Sequence, residues 1–117
     1  MIVPGVYGWL NVAAVNTFVS GRIYGFGHAP QTPTYPYITW RVITSVPSQQ
    51  FDAPAVDNQR VEVNVWSKAQ QESLDATAAV QTEMDKHGHQ ITQLGPERDS
   101  ETKNYRTQLD YSIWSSR

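Results

Sequence analysis

Residues 60–66, RVEVNVW, alternate without a break: Val61, Val63 and Val65 fall on one side, Arg60, Glu62, Asn64 and Trp66 on the other. Successive side chains of an extended strand point to opposite faces, so this pattern demands a strand with one face in a core. A chain containing it must build a sheet and cover one side of it. The run PYITWRVIT, residues 36–44, is almost wholly β-branched or aromatic and predicts a second strand. Residues 105–114 set Leu109, Tyr111 and Ile113 against Gln108, Asp110 and Ser112, a third alternation, and residues 89–94 read as a fourth strand.

Helical spacing occupies what lies between. Ala69, Ser73, Ala76, Val80, Met84 and His87 recur at steps of three and four, predicting a helix over 69–87 that can sit close on a sheet. Ser67 is its expected N-cap and Gly88 its stop. A shorter helix is expected over 6–18, with Pro4 suited to a first turn and Gly21 to an end. The order helix, strand, strand, helix, strand, strand predicts α+β: a mostly antiparallel sheet of about four strands with two helices packed on it, as one domain over 1–117.

Three stretches fall outside these elements. Residues 45–59, SVPSQQFDAPAVDNQ, hold two prolines and few strand formers and read as a long exposed loop, to be ordered by contact with a partner. Residues 96–104, PERDSETKN, read as an exposed hairpin loop. Residues 22–36 combine glycines, aromatics and three prolines. They form either an extended arm lying against a neighbouring subunit or a connector that packs Tyr24 and Phe26 on its own core. Trp40, Trp66 and Trp114 carry the same ambiguity between core packing and interface.

Charge and composition narrow the function classes. Nine basic and 11 acidic residues give a net charge of −2, against a surface that grips nucleic acid through phosphates. The absence of cysteine removes disulfides and thiolate metal sites. MIVPGVYGWL lacks the basic start and apolar run of a signal peptide, and no run approaches the ~20 apolar residues of a membrane helix. Aromatics reach 11% while charged residues reach only 17%, a balance found in protein–protein contact surfaces and in Trp-rich cores.

Catalytic constellations are not found. His87 and His89 form an H-x-H, but Gly88 at a helix stop spoils the shared face a chelate needs, and His28 lies far away in sequence. No G-x-S-x-G elbow occurs. The pairs Asp52/Asp57 and Glu97/Asp99 sit in polar loops, where solvated charge is their expected role. The GFG at 25–27 is followed by Pro30 and Pro33, which forbid the strand-to-helix turn of a phosphate loop. No catalytic, cofactor-binding or metal residue is assigned.

Taken in order, GRIY (21–24), APQ (29–31), YPYITW (35–40), RVEVNVW (60–66), KAQQESLDATAAV (68–80) and DYSIW (110–114) resemble the small phage tail completion proteins, a group formerly classed as a domain of unknown function and related to tail terminators. The resemblance implies an α+β fold, no enzymatic activity and no cofactor. It also implies a homo-oligomeric ring, commonly a hexamer, at the head-proximal end of the virion tail, assembled in the host cytoplasm. The implied partners are the tail tube protein and the head–tail connector, with DNA only passing through the bore and no membrane involved. Within that frame Arg22, Tyr24, Phe26 and Tyr35 are the expected subunit contacts, and Gln49, Gln50, Phe51 and Asp52 the partner-contact loop. A head-completion or connector joint protein is the alternative, and a small ligand-binding α+β domain a further one.

Overall fold

Eight elements follow one another in the computed structural model, which describes residues 4–48, 56–100 and 102–116. They are α1 (Val6–Leu10), α2 (Ala13–Val19), β1 (Ile23–Gly25), β2 (Tyr37–Ser48), β3 (Val56–Ser67), α3 (Gln70–Met84), β4 (His89–Arg98) and β5 (Tyr105–Ser116). The strands form one sheet in the order β1-β2-β3-β5-β4. Only the β1–β2 pair is parallel; every other pair is antiparallel. The α+β expectation holds, with five strands and three helices in place of four and two.

The alternation of residues 60–66 fixes the layers. Val61, Val63 and Val65 are fully buried, and across the sheet they meet Tyr111 and Leu109 on β5 and Ile38 and Trp40 on β2. From α3, Ala76, Val80 and Met84 close over them, as their spacing predicts. Val6 and Leu10 of α1 and Val15 and Val19 of α2 complete the same core. α1, α2 and α3 all contribute to this one cluster, so among the described residues the other face of the sheet carries no helix.

Local rules explain the departures from the sequence-based reading. The N-terminal helix is broken in two: Asn11 leaves helical geometry at ψ 62° and Val12 is extended at ψ 160°. The break lets Leu10 and Val15 both face the core. At the long helix the capping residue is Ala69, not Ser67. The Ser67 hydroxyl still acts there, accepting from the Ala69 N–H at 3.2 Å and donating to Glu72 at 2.8 Å. The helix ends at Met84 rather than 87, with His87 and Gly88 N–H groups both turned back onto the Met84 carbonyl.

The expected loop over 45–59 is the largest correction. β2 continues to Ser48 and β3 starts at Val56, so only residues 49–55 lie between them, outside the described residues. Poor strand formers are held here by pairing: β3 lies between β2 and β5 along its whole length. Pro47 is tolerated because β1 covers β2 only at Ile38–Trp40, so beyond that point one edge of β2 is free of a ladder. The 96–104 loop shrinks likewise, since β4 runs through Pro96 to Arg98.

Gly88 has a reason beyond ending a helix. A Cβ there would come within 2.6 Å of the Ser112 carbonyl oxygen and 2.8 Å of Ile113 Cγ1. Gly8, inside α1, has nothing within 4 Å of the same position. Gly88→Ala is therefore expected to destabilise by about 2 kcal/mol or more, as overpacking does. Gly8→Ala is expected to stabilise by up to about 1 kcal/mol through helix propensity. Urea midpoints moving in opposite directions at unchanged m would bear this out; equal shifts would refute the close approach at Gly88.

Candidate functional site: the helix-free face of the sheet

The outward members of the alternation build this face: Tyr37, Thr39 and Arg41 from β2, Arg60, Glu62, Asn64 and Trp66 from β3, and Arg106, Gln108 and Asp110 from β5. Cross-strand register brings Tyr37 opposite Trp66 and Trp66 opposite Arg106. The result is a stack across three strands. The Tyr37 and Trp66 rings are nearly parallel, 4° apart in plane and 5.7 Å between centroids. The Arg106 guanidinium lies 5.5 Å from the Trp66 ring, and the Trp66 indole N–H donates to Thr39 Oγ1 at 3.0 Å. Tyr35 meets Tyr37 edge-on at 5.0 Å, and Lys68 caps Tyr35 at 5.3 Å. Alternating aromatic planes and cations of this kind gain a fraction of a kcal/mol to about 1 kcal/mol per contact and leave few rotamers free.

Beside the stack runs a charged lattice. Arg41 Nε donates to Glu62 Oε2, and Arg60 Nη2 to Asp110 Oδ2 at 3.3 Å. Asp110 also accepts from Thr92 and Gln108, and Gln108 in turn accepts from Arg106. Glu62 and Asp110 are only 7% and 6% exposed although no helix covers them. Long side chains on the same face bury them. Two polar atoms within this lattice, Arg60 Nε and Asn64 Oδ1, are buried without a hydrogen-bond partner.

The expected contact residues divide. Tyr24, with its ring 6.2 Å from that of Tyr37, and Tyr35 join the aromatic cluster. Phe26 does not: it sits edge-on to Trp40 at 4.9 Å, about half exposed and at a positive φ of 51°. Arg22 holds the segment together, its Nε donating to the Pro36 carbonyl at 2.9 Å and Nη2 to that of Phe18 at 3.4 Å. Gln49, Gln50, Phe51 and Asp52 lie outside the described residues, as does the side chain of Trp114. Trp40 is a core residue, 7% exposed, whereas Trp66 belongs to the open face. His87 stacks on Trp9 at 4.1 Å, and among the described residues no three potential metal ligands gather. Tyr37, Asn64 and Arg106 were not singled out from sequence. The alternation of 60–66 places Asn64 outward, but strand register alone reveals its neighbours.

Burial pushes the phenol of Tyr37 well above the usual tyrosine range, with Tyr35 adding to it. Burial does the same to Tyr111, whose hydroxyl donates to Asp85 at 3.1 Å. Both phenols thus stay neutral in the folded state at a pH where the unfolded chain, at about 10, loses the proton. The folded pKa being the higher, this contribution to stability is complete below pH 10 and declines above it. The denaturant midpoint should therefore fall steeply above about pH 10, and Tyr37→Phe should flatten that fall. An alkaline limb identical in the variant would show that Tyr37 ionises freely.

The fold and this face define a small α+β protein that presents one rigid, aromatic and ion-paired sheet surface with shallow hollows. The chain belongs to the tail completion protein gp17 family, whose model matches residues 5–116. A comparison with curated proteins gave no match. Among solved structures the fold is similar to a chain of the virion of a native gene transfer agent particle, with 16% identity and a TM-score of 0.64. That likeness covers 96% of this chain and 92% of the other.

Proposed function

We propose that this protein is a non-enzymatic structural component of a phage virion: a tail completion protein whose 1–117 domain assembles, in the host cytoplasm, into a closed ring at the head-proximal end of the tail. The reading rests above all on the family match over residues 5–116. The likeness to a chain of a gene transfer agent virion supports it at the level of fold. Six subunits is the proposed number, with one side of the ring on the tail tube and the other on the head–tail connector. A net charge of −2 suits a bore through which DNA passes without being held.

The open face supplies the physical means. Ring assembly needs contact surfaces whose side chains are already ordered, since each immobilised side chain costs about 0.5–1.5 kcal/mol on association. The Tyr37–Trp66–Arg106 stack and the Arg41–Glu62 and Arg60–Asp110 pairs meet that requirement. Head-to-tail contacts between identical subunits close into a ring when the rotation per subunit completes a circle.

Electron microscopy of the purified protein mixed with tail tubes tests the reading. Closed rings on tube ends are the expected result; rings that bind only isolated connectors would favour a head-completion role instead. Replacing Tyr24 and Phe26 together by alanine is expected to abolish ring formation on tubes while the thermal midpoint moves by only a few degrees. Unimpaired capping would place the subunit contact elsewhere, and a large loss of melting temperature would make both residues part of the core.

A further inference from the structure

The open face contains a groove with unmet bonding capacity. Two neighbouring hollows share Arg106 as a wall. One, of about 260 Å³, is lined by Tyr35, Trp66, Arg98 and Asn104 together with the carboxylates of Glu97 and Asp99; the other, of about 330 Å³, by Thr39, Arg41, Glu62 and Asn64. Asn64 is 9% exposed, and its Oδ1 has no donor. Among the described residues Arg106 forms no ion pair: its guanidinium donates to the neutral Gln108, and Glu97 lies opposite in register without bonding to it. A complementary ligand would offer a carboxylate for Arg106, an N–H donor for Asn64 and an aromatic or apolar group for the Trp66 and Tyr35 walls.

Residues 49–55, QQFDAPA, carry this set in one short run: two amide side chains, one aromatic, one carboxylate, and no base. Their attachment points rule out the groove of the same chain. The segment joins Ser48 to Val56, which face each other in register at one end of the β2–β3 ladder. Asn64 lies eight residues along β3 and Trp66 ten, about 26 and 33 Å away at ~3.3 Å per residue. A segment of seven residues tethered at both ends extends no more than about four residues, or ~14 Å. The match can be used only between chains.

We infer that the groove between Asn64, Arg106 and Trp66 is a docking site for residues 49–55 of a second copy of this chain, with Asp52 on Arg106 and Phe51 against the Trp66–Tyr35 wall. The inference rests on the ring reading and extends its subunit contact from Tyr24 and Phe26 to this groove. The segment's attachment points, Ser48 and Val56, lie far along the hairpin from the groove, so the two halves of the contact fall on different surfaces, as head-to-tail packing into a ring requires.

The chain contains no cysteine, which gives a clean cross-linking test. Ala53→Cys with Asn104→Cys keeps every charged group of the groove, and a short bismaleimide is added to the concentrated protein, with and without tail tubes. Expected on a denaturing gel is a ladder of two, three and more chains, while either single-cysteine variant stops at two. Adding Arg106→Glu should abolish the ladder, and adding Asp52→Arg to that variant should restore it. Electron microscopy of the same samples separates the two readings. Rings without a ladder overturn the groove contact and leave the ring standing. A ladder without closed rings keeps the contact and overturns the ring, whereas cross-linking of the double variant that stops at pairs, as in the single-cysteine variants, overturns the groove contact. Neither rings nor ladder overturns both.

Discussion

The pairing of β3 on both of its edges is the constraint from which the rest of the molecule follows. From Val56 to Trp66 it has β2 on one side and β5 on the other, so its backbone is paired on both edges along that run. Pairing on both sides allows a polar stretch such as Asp57–Asn58–Gln59 to remain in a strand, because leaving the ladder would strand buried donors and acceptors. It also determines the layers. Val61, Val63 and Val65 must go under cover, and the three helices close over one face of the sheet at β1, β2, β3 and β5, while β4 stays largely exposed. The other face is left to side chains alone.

That second face solves its exposure in a polar way. The direct attraction in the Arg41–Glu62 and Arg60–Asp110 pairs is modest, since the arginine side chains are 64% and 42% exposed and such pairs contribute about 0–1 kcal/mol. Their larger effect is conditional. Glu62 and Asp110 are nearly buried, so removing an arginine would leave a carboxylate with neither water nor a counter-ion. The lattice therefore fixes side-chain positions more than it raises stability. The same holds for Trp66, clamped between Tyr37 and Arg106 and tied to Thr39 by its indole N–H. Order of this kind lowers the entropy that any association through this face would lose.

How much of this was legible in the sequence depended on the range of the forces involved. The valine alternation, the small-residue stripe over Ala76, Val80 and Met84, and the outward face of residues 60–66 are local and could be read. β1 could not: Ile23–Gly25 is three residues long, parallel, and carries no alternation of its own. Nor could the strand ends at Ser48 and Val56, where prolines and polar residues argued for a loop and only long-range pairing overrides them. The helix break at Asn11–Val12 answers to the position of a core that sequence does not locate. On the open face, residue types were visible but partners were not. Nothing near Trp66 in sequence announces Tyr37, 29 positions earlier, or Arg106, 40 later. Cross-strand register makes them neighbours.

The hairpin of β2 and β3 also has a direction, and an irregularity helps to set it. The register slips between Val42 and Thr44, leaving Ile43 as an extra residue on β2, about two-fifths exposed. A bulge bends the strand that carries it and sharpens the local twist. This one falls just beyond Trp40, where β1 and its support end, so the outer part of the ladder leaves the core along a line fixed by the bulge. The core reaches one row past it, at Ile113 opposite Gln59, and farther out β3 is flanked by β2 and by β5, which follows it to Ser116 opposite Val56. The distal hairpin is therefore a three-stranded continuation of the sheet. Such a bend acts as a lever: in any assembly made through the outer hairpin, an error of a few degrees at each contact would accumulate from one copy to the next. In this chain the lever is a continuous hydrogen-bonded ladder with one bend, and the direction of the outer hairpin depends on where that bend is placed.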